Sequence, residues 1–233
     1  MLMIHSATTM STDLWPIAVE AAEMVKSGMV VGLGTGRAAA MFVRALAGRL
    51  REGLDIRAVP TSIKTAKLAK ELSLPLATLE DIDTIDIDVD GADEVDPDLN
   101  LIKGHGGALL RERVVASMSI RFVVLVGEEK LVPYLGAKMS VPVEVVPFAV
   151  PPARRALTAL GANAVLRANA GIPFESDNGN QIIDARFENI ANAKELEASI
   201  DEVPGVVDSG LFVGMADLVL VQADGSSRRM ERA

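Results

Sequence analysis

The fold is decided by the stretch Met29-Val30-Val31-Gly32-Leu33-Gly34-Thr35-Gly36. Met29 to Gly32 is a short apolar strand, and the glycines after it form a turn that leads into a helix over residues 38–50. The same order recurs along the chain, with strands predicted at 56–59, 85–89 and 121–126 and helices at 13–26, 62–72 and 108–118. Strands that are apolar throughout are buried on both faces. The alternation therefore predicts an α/β fold in which helices cover both faces of a mostly parallel sheet.

The pattern changes in the second half of the chain, where prolines become frequent between residues 133 and 152. Beyond them the sequence predicts strands at 143–146, 164–167 and 181–187, helices at 153–160 and 193–200, and a turn at 177–180. Residues 218–226 read as a hairpin that returns to the main sheet. We therefore predict a larger domain of residues 1–134 and 208–233, and a smaller α+β domain of residues 135–207.

Composition excludes several classes of protein. The 233 residues carry a formal net charge of −9, which disfavours non-specific binding to nucleic acid or to an anionic membrane. There is no cysteine, which excludes disulfides and thiolate chemistry, and with two histidines a His-rich metal centre is disfavoured. No uncharged apolar run reaches the roughly 18 residues that span a bilayer, and residues 1–9 do not resemble a signal peptide. The expectation is a soluble cytoplasmic protein.

The glycine-rich turn at residues 32–36 does not match the known nucleotide motifs. In the dinucleotide-binding pattern G-x-G-x-x-G the third glycine would fall on Arg37, and the Gly-Lys-Ser/Thr of a Walker loop does not follow. A helix that begins after such a turn can bind an anion through its free N–H groups. Two interpretations stay open here: a phosphate or small polar ligand site, and a tight turn without a ligand.

A second motif is acidic, Asp86-Ile-Asp88-Val-Asp90-Gly-Ala-Asp93-Glu94. Its spacing resembles the start of a calcium loop, but the twelfth position is Pro97 where a glutamate should stand. Strand periodicity puts Asp86, Asp88 and Asp90 on one face, so a solvated strand edge is one alternative. Asp90 and Asp93, however, lie at the carboxyl end of a predicted strand, where α/β proteins bind ligands. Asp88 and Asp90 also resemble the paired aspartates of haloacid dehalogenase-type phosphatases, which use magnesium.

The third motif runs from Lys103-Gly-His-Gly-Gly-Ala108 into the helix that carries Glu112. Its lysine and glycines can hold an oxyanion, whereas a glutamate among arginines is usually a surface ion pair and His105 is more readily a spacer than a metal ligand. Together, a carboxylate base, a cation and further carboxylates suit the removal of a proton next to a carbonyl group.

The three motifs in this order closely resemble type A ribose-5-phosphate isomerase. The likeness rests on the segments 32–36, 90–94, 101–104 and 110–112 and continues at 141–147, 177–180 and 200–207. The resemblance implies a Rossmann-like three-layer domain with a smaller ferredoxin-like α+β domain. It also implies the interconversion of ribose 5-phosphate and ribulose 5-phosphate in the non-oxidative pentose phosphate pathway, without metal or cofactor, by a homodimer or homotetramer.

The resemblance also assigns roles to residues. Glu112 would be the base that moves a proton between C2 and C1 through a cis-enediolate, Asp90 would open the furanose ring, and Asp93 and Lys103 would bind hydroxyls and the oxyanion. The residues that would contact the substrate or its phosphate are Thr35, Gly36, Arg37, Ala38, Gly91, Ala92, Gly104, His105, Gly106 and Lys130.

The chain departs from the family pattern at Arg37-Ala38, where Ser-Thr is common, and at His105, where glycine is usual. We expect Arg37 to replace the hydroxyls by pairing with phosphate. Two other functions stay as alternatives: a non-catalytic sugar-phosphate sensor on the same scaffold, and a magnesium-dependent phosphatase that uses Asp88 and Asp90.

Overall fold

A computed structural model describes residues 15–223 and 226–232. In the first half of the chain the helices are α1 (Pro16–Met24), α2 (Arg37–Arg51), α3 (Ile63–Glu71) and α4 (Leu109–Ser117). The strands of this half are β1 (Val30–Leu33), β2 (Arg57–Pro60), β3 (Ile87–Gly91), β4 (Glu94–Val95), β5 (Leu101–Ile102) and β6 (Phe122–Gly127). Single turns of 3₁₀-helix lie at Leu79–Asp81, Glu128–Lys130 and Pro147–Ala149.

The second half alternates shorter elements. Its helices are α5 (Val150–Ala159) and α6 (Ala193–Asp201). Its strands are β7 (Val141–Val145), β8 (Asn163–Leu166), β9 (Ala168–Asn169), β10 (Ile172–Pro173), β11 (Gln181–Arg186), β12 (Val206–Ser209), β13 (Leu211–Phe212), β14 (Leu218–Ala223) and β15 (Ser226–Glu231).

The main sheet has six strands in the order β15-β14-β6-β3-β1-β2, and its neighbours are parallel except in the β14–β15 hairpin. Side chains of β1 alternate between two cores. Val31 and Leu33 pack with α2, whereas Val30 packs with Val115 of α4 on the other face. The predicted three-layer, Rossmann-like fold is therefore confirmed, and so is the return of the C-terminal hairpin to the main sheet.

The order of these strands locates the binding edge of the sheet. Across the sheet the five parallel strands stand in the order β2, β1, β3, β6 and β14. If these five are renumbered by their position in the chain, the order is 2-1-3-4-5, so the winding direction reverses between β1 and β3. In open α/β sheets this switch point opens a crevice at the carboxyl ends of the strands. The turn after β1 and the loop after β3 both lie at this crevice, and they carry two of the three motifs found in the sequence.

A second sheet has the antiparallel order β12-β7-β11-β8, and α5 and α6 connect its strands in a β-α-β-β-α-β sequence. This is the ferredoxin-like arrangement that was predicted for the smaller domain. The boundaries proposed for the two domains, after residues 134 and 207, stay predictions. A three-stranded sheet, β13-β5-β4, was not predicted, because strands of two residues are too short to show any periodicity.

The starts of the helices agree with the sequence prediction in one case and differ from it in another. Ser62 caps α3 as expected, since its Oγ accepts a hydrogen bond of 3.0 Å from the amide of Thr65. Helix α5, however, begins at Val150 and not at Ala153, because Pro151 and Pro152 fit the first turn of a helix, where N–H groups have no partner in any case. The predicted start of the first helix at Asp13 and the hairpin turn at Asp224-Gly225 lie outside the described residues.

Candidate active site

Three charged side chains meet under the crevice at the end of β3. The Nζ atom of Lys103 lies 2.9 Å from Oδ2 of Asp90 and 3.3 Å from Oε2 of Glu112. The side chains of Lys103, Asp90 and Glu112 are 3%, 0% and 4% exposed. The alternative that Glu112 forms a surface ion pair is therefore wrong, and so is the solvated strand edge for Asp90.

The glycine-rich turn holds Asp90 in place. Oδ1 of Asp90 accepts hydrogen bonds from the amides of Thr35 (2.9 Å) and Gly91 (2.7 Å). A Cβ atom on Gly34 would lie 2.1 Å from that same oxygen, well inside van der Waals contact. Glycine is therefore required at position 34 because the turn must approach the carboxylate of Asp90 closely.

Helix α4 directs Glu112 inward and its two arginine neighbours elsewhere. Arg113 pairs with Asp208 (2.6 Å) and Glu197 (3.1 Å), whereas Nε of Arg111 donates to the side chain of Asn178 (2.8 Å). These partners lie in or beside the smaller sheet. The arginines adjacent in sequence therefore anchor the helix, and the cation that faces Glu112 comes from the end of β5.

Burial and charge shift the protonation of this cluster. Burial raises the pKa of Glu112 to about 8; the Lys103 ammonium opposes the shift, and the carboxylates of Asp90 and Asp93 add to it. Burial alone would lower the pKa of Lys103, but Asp90 and Glu112 together raise it above its usual value. Lys103 is thus a permanent cation, and Glu112 is a base whose proton affinity is higher than that of an ordinary glutamate.

A cavity of about 350 Å³ opens above this cluster. Most of the residues predicted for the site line it, namely Thr35, Gly36, Arg37, Ala38, Gly91, Ala92, Asp93, Lys103, Gly104, Gly106, Glu112 and Lys130. Asp90 is not on the cavity wall, because its carboxylate lies beneath, bound by Lys103 and the two amides. The structure therefore brings the three motifs together around one space.

His105 is placed differently from the prediction that it contacts the substrate. Its Nε2 lies 3.0 Å from the carbonyl oxygen of Ser140, and its side chain lines a shallow groove beside the smaller sheet instead of the cavity. Its amide donates a hydrogen bond of 3.0 Å to Oδ2 of Asp93. His105 thus contributes to the site through its backbone.

Some lining residues were not predicted. Trp15, Leu125, Val126, Gly127 and Glu129 also face the cavity. Residues 125–129 lie at the carboxyl end of β6, next to β3 in the sheet, so the rule that ligands bind at this edge could have found them. Trp15 precedes α1, and no sequence signal connected it with the other motifs.

Asp88 is a buried carboxyl group outside the cavity. It is fully buried, and neither of its oxygens has a hydrogen-bond partner among the described residues. It faces β1 and α4, since a Cβ atom on Gly32 would lie 2.4 Å from its Oδ1 and 2.7 Å from the side chain of Val115. The solvated strand edge is wrong for Asp88 too. Burial, and after it the charge of Asp90, raises the pKa of Asp88 well above its ordinary value.

The burial of Asp88 predicts a pH-dependent gain in stability for Asp88→Asn. Because the pKa of Asp88 is raised in the folded protein, the unfolded chain ionises this group at a lower pH, from about pH 4, than the folded protein does, which favours unfolding of the wild type as the pH rises. The free energy of unfolding of Asp88→Asn minus that of the wild type should therefore increase by up to about 1.4 kcal/mol per pH unit above this point. Urea denaturation from pH 4 to pH 8 measures it, with the exposed Asp83→Asn as the control. A difference independent of pH would contradict a raised pKa of Asp88 in the folded protein.

The geometry does not favour the phosphatase alternative. That mechanism needs Asp88 and Asp90 to face the substrate, but Asp88 is enclosed between β1 and α4 and the oxygens of Asp90 are bound by Lys103 and two amides. Among residues 15–223 and 226–232, no group of three or more His, Cys, Asp or Glu is arranged to hold a metal ion.

In the part of the chain that the structure describes, no helix is long and apolar enough to cross a membrane.

Comparison with known proteins gives a consistent result. Residues 57–225 match the model of the family ribose 5-phosphate isomerase A (phosphoriboisomerase A). Ribose-5-phosphate isomerase A of Thermosynechococcus vestitus is 50% identical over 209 residues, which cover 88% of this chain and 89% of the relative. The corresponding protein of Pyrococcus abyssi is 45% identical over 219 residues, covering 92% and 96%.

Solved structures agree with the sequence matches. Ribose 5-phosphate isomerase A of Methanocaldococcus jannaschii superimposes with a TM-score of 0.89 at 45% identity, covering 92% of this chain and 96% of the other. A D-ribose-5-phosphate isomerase in complex with phospho-erythronic acid gives a TM-score of 0.90 at 44% identity, covering 93% and 96%. With both sequence and structure matched over nearly its whole length, the chain belongs to the ribose 5-phosphate isomerase A family.

Proposed function

We propose that this protein is a ribose-5-phosphate isomerase, which interconverts D-ribose 5-phosphate and D-ribulose 5-phosphate. The observation that carries the proposal is the buried contact of 3.3 Å between Lys103 and Glu112 on the wall of one cavity. A base and a permanent cation side by side are what proton transfer next to a carbonyl requires. Family membership supports the same reaction, and the related structure with bound phospho-erythronic acid supports a sugar phosphate as the ligand.

The reaction follows from the roles of these two groups. The Glu112 carboxylate removes the proton from C2 of the open-chain aldose, and the electrons move to the carbonyl oxygen on C1 to give a cis-enediolate. The Lys103 ammonium stabilises the negative oxygen. Glu112 then returns the proton to C1, while the hydroxyl proton on O2 moves to O1 and leaves a ketone at C2. No atom is gained or lost, so the reaction needs no redox partner.

The contacts of Asp90 and Asp93 favour different roles for the two aspartates. Asp93 lines the cavity, and we assign it contacts with sugar hydroxyls. Asp90 holds Lys103 by a 2.9 Å hydrogen bond and fixes its orientation toward Glu112. The opening of the furanose ring by Asp90 stays a prediction from the resemblance.

The phosphate group is proposed to bind where α2 and the turn before it form part of the cavity wall. There the first turn of α2 begins after Gly36, whose φ of +106° is a backbone conformation that favours glycine. Arg37 and Lys130 supply two cations on the cavity wall. The Arg37 guanidinium lies 4.9 Å above the ring of Trp15, which restricts its direction.

Arg37→Ala is expected to raise KM for ribose 5-phosphate and to change kcat little. The phosphate does not react, so its binding contributes equally to the ground state and the transition state. The loss of one charge-assisted interaction worth about 1.5–3 kcal/mol corresponds to an increase in KM of roughly 10- to 150-fold. Steady-state kinetics measure it, with Arg44→Ala on the same helix as the control. An unchanged KM would show that Arg37 does not bind the phosphate.

The pH dependence of kcat/KM should report the pKa of Glu112. The base must be ionised, so activity is lost as the pH falls below its pKa of about 8. We expect kcat/KM to fall about tenfold per pH unit below this value and to be level above it. Initial rates between pH 5 and pH 10 measure the profile. A profile that stays level down to pH of about 5, as a base with the ordinary glutamate pKa of about 4.3 would give, would contradict the effect of burial.

The experiment that tests the proposed function is conversion of ribose 5-phosphate to ribulose 5-phosphate in the presence of EDTA, with inorganic phosphate followed in parallel. The isomerase predicts ketose formation without phosphate release. A phosphatase would release phosphate and lose activity in EDTA, and a sensor would bind the sugar phosphate without turnover. The pathway and the homodimeric or homotetrameric assembly stay predictions from the resemblance, and the cytoplasmic location stays a prediction from composition.

A further inference from the structure

Arg167, which directly follows β8 of the smaller sheet, reaches across to the loop that follows Lys103. Its Nη1 donates hydrogen bonds of 3.1 Å to the carbonyl oxygens of Gly104 and His105. Gly104 belongs to the cavity wall, and Lys103 precedes it directly. No sequence motif pointed to Arg167, which is more than sixty residues away from its partners.

Asp184 of β11 fixes the guanidinium from the other side. Its carboxylate accepts two parallel hydrogen bonds from Arg167, 2.9 Å from Nε and 2.5 Å from Nη2. The two side chains are 13% and 26% exposed, so solvent weakens the pair little. Only arginine has a planar fork that can bind a carboxylate along one edge and donate to carbonyl oxygens from the other.

The same loop is confined at its far end. Gly107 has a φ of +82°, and a Cβ atom there would lie 2.3 Å from the ring of Phe174. The Arg167 guanidinium lies 5.7 Å from the centre of that ring. On the opposite side, the amide of His105 is bound to Asp93. Arg167 and Phe174, which lie beside the smaller sheet, therefore hold the loop in place together with Asp93.

We propose that Arg167 is a positioning residue for the isomerisation. This proposal rests on the proposed function, in which Lys103 is the cation and Glu112 the base. Residues 104–108 connect Lys103 to the helix that carries Glu112. With its two carbonyl oxygens bound, this loop keeps Lys103 and Glu112 at the separation the reaction needs. A displacement of about 1 Å between reacting groups can cost about 10²-fold in rate, so a distant arginine that fixes the loop can control turnover.

The test compares Arg167→Ala and Arg167→Lys with Arg186→Ala. Arg186 is a matched control because it lies on β11, which pairs with β8, and donates to a backbone carbonyl, that of Ala137, which is not on the cavity wall. We expect Arg167→Ala to lower kcat about 10²-fold with little change in KM, and Arg186→Ala to stay near wild type. Arg167→Lys should recover little, whereas guanidinium ion at a low, non-denaturing concentration should partly restore Arg167→Ala.

Hydrogen exchange gives a readout that does not depend on turnover. The amides of residues 104–107 should exchange faster in Arg167→Ala than in wild type, and not in Arg186→Ala. If Arg167→Ala does not fold, Asp184→Asn keeps the arginine, removes the charge that orients it, and should show a smaller loss in the same parameter, kcat.

The outcomes separate the inference from the proposed function. A wild type that does not convert ribose 5-phosphate overturns the function and the inference with it. An active wild type whose Arg167 variants keep normal kcat overturns the inference alone. An equal loss of kcat in Arg186→Ala also overturns it, because the effect would then be general destabilisation of the smaller sheet.

Discussion

Glu112→Gln is expected to lower kcat for ribose 5-phosphate by about 10²–10⁴-fold, because positioned proton transfer contributes about this much. Glutamine has the same shape and can keep an oxygen facing Lys103, but it cannot accept a carbon-bound proton. KM should change much less, since Glu112 acts on the reacting atom and not on the phosphate. A coupled or direct assay of ketose formation measures the loss.

Two comparisons make this result specific to the base. Glu71→Gln, at the exposed end of α3, makes the same chemical change far from the cavity and should leave kcat unchanged. Proton exchange between C2 of the substrate and deuterated solvent should also disappear in Glu112→Gln. If kcat stays near normal, or solvent exchange continues at the wild-type rate, another group is the base.

Much of the site could be predicted from local patterns. The strand and glycine turn at residues 29–36, and Asp90 at the carboxyl end of a predicted strand, located the crevice from the sequence alone. Parallel strands end at one edge of the sheet, so residues at successive strand ends must converge there. This convergence explains why motifs from separate parts of the chain could be combined into one hypothesis.

What could not be predicted are contacts between residues far apart in sequence. The sequence around Glu112 offers Arg111 and Arg113 as partners, but only the fold reveals that Lys103 faces it and that both arginines turn away. Strand periodicity put Asp88 and Asp90 on one face and could not show that this face lies under α4. The contact from Arg167 likewise depends on how the smaller sheet packs against the loop.

Lys103→Met is expected to lower both activity and stability. The variant removes the cation that stabilises the enediolate, and loss of one such donor costs about 10²–10³-fold in kcat. It also leaves Asp90 and Glu112 buried without a counter-charge, which costs about 3–5 kcal/mol in the free energy of unfolding. Steady-state kinetics and urea denaturation measure the two effects. The exposed Lys64→Met should leave kcat unchanged and should change the free energy of unfolding by no more than about 0.5 kcal/mol.

The double variant Lys103→Met with Asp90→Asn separates the two effects of the lysine. Because the destabilisation comes from an unpaired buried charge, neutralising Asp90 should recover a large part of the free energy of unfolding. It should not recover kcat, since the enediolate still has no cation beside it. If the double variant regained turnover together with stability, Lys103 would serve the fold and not the reaction. If neither turnover nor stability returned, the loss of stability in Lys103→Met would come mainly from the unpaired charge of Glu112 and not from that of Asp90.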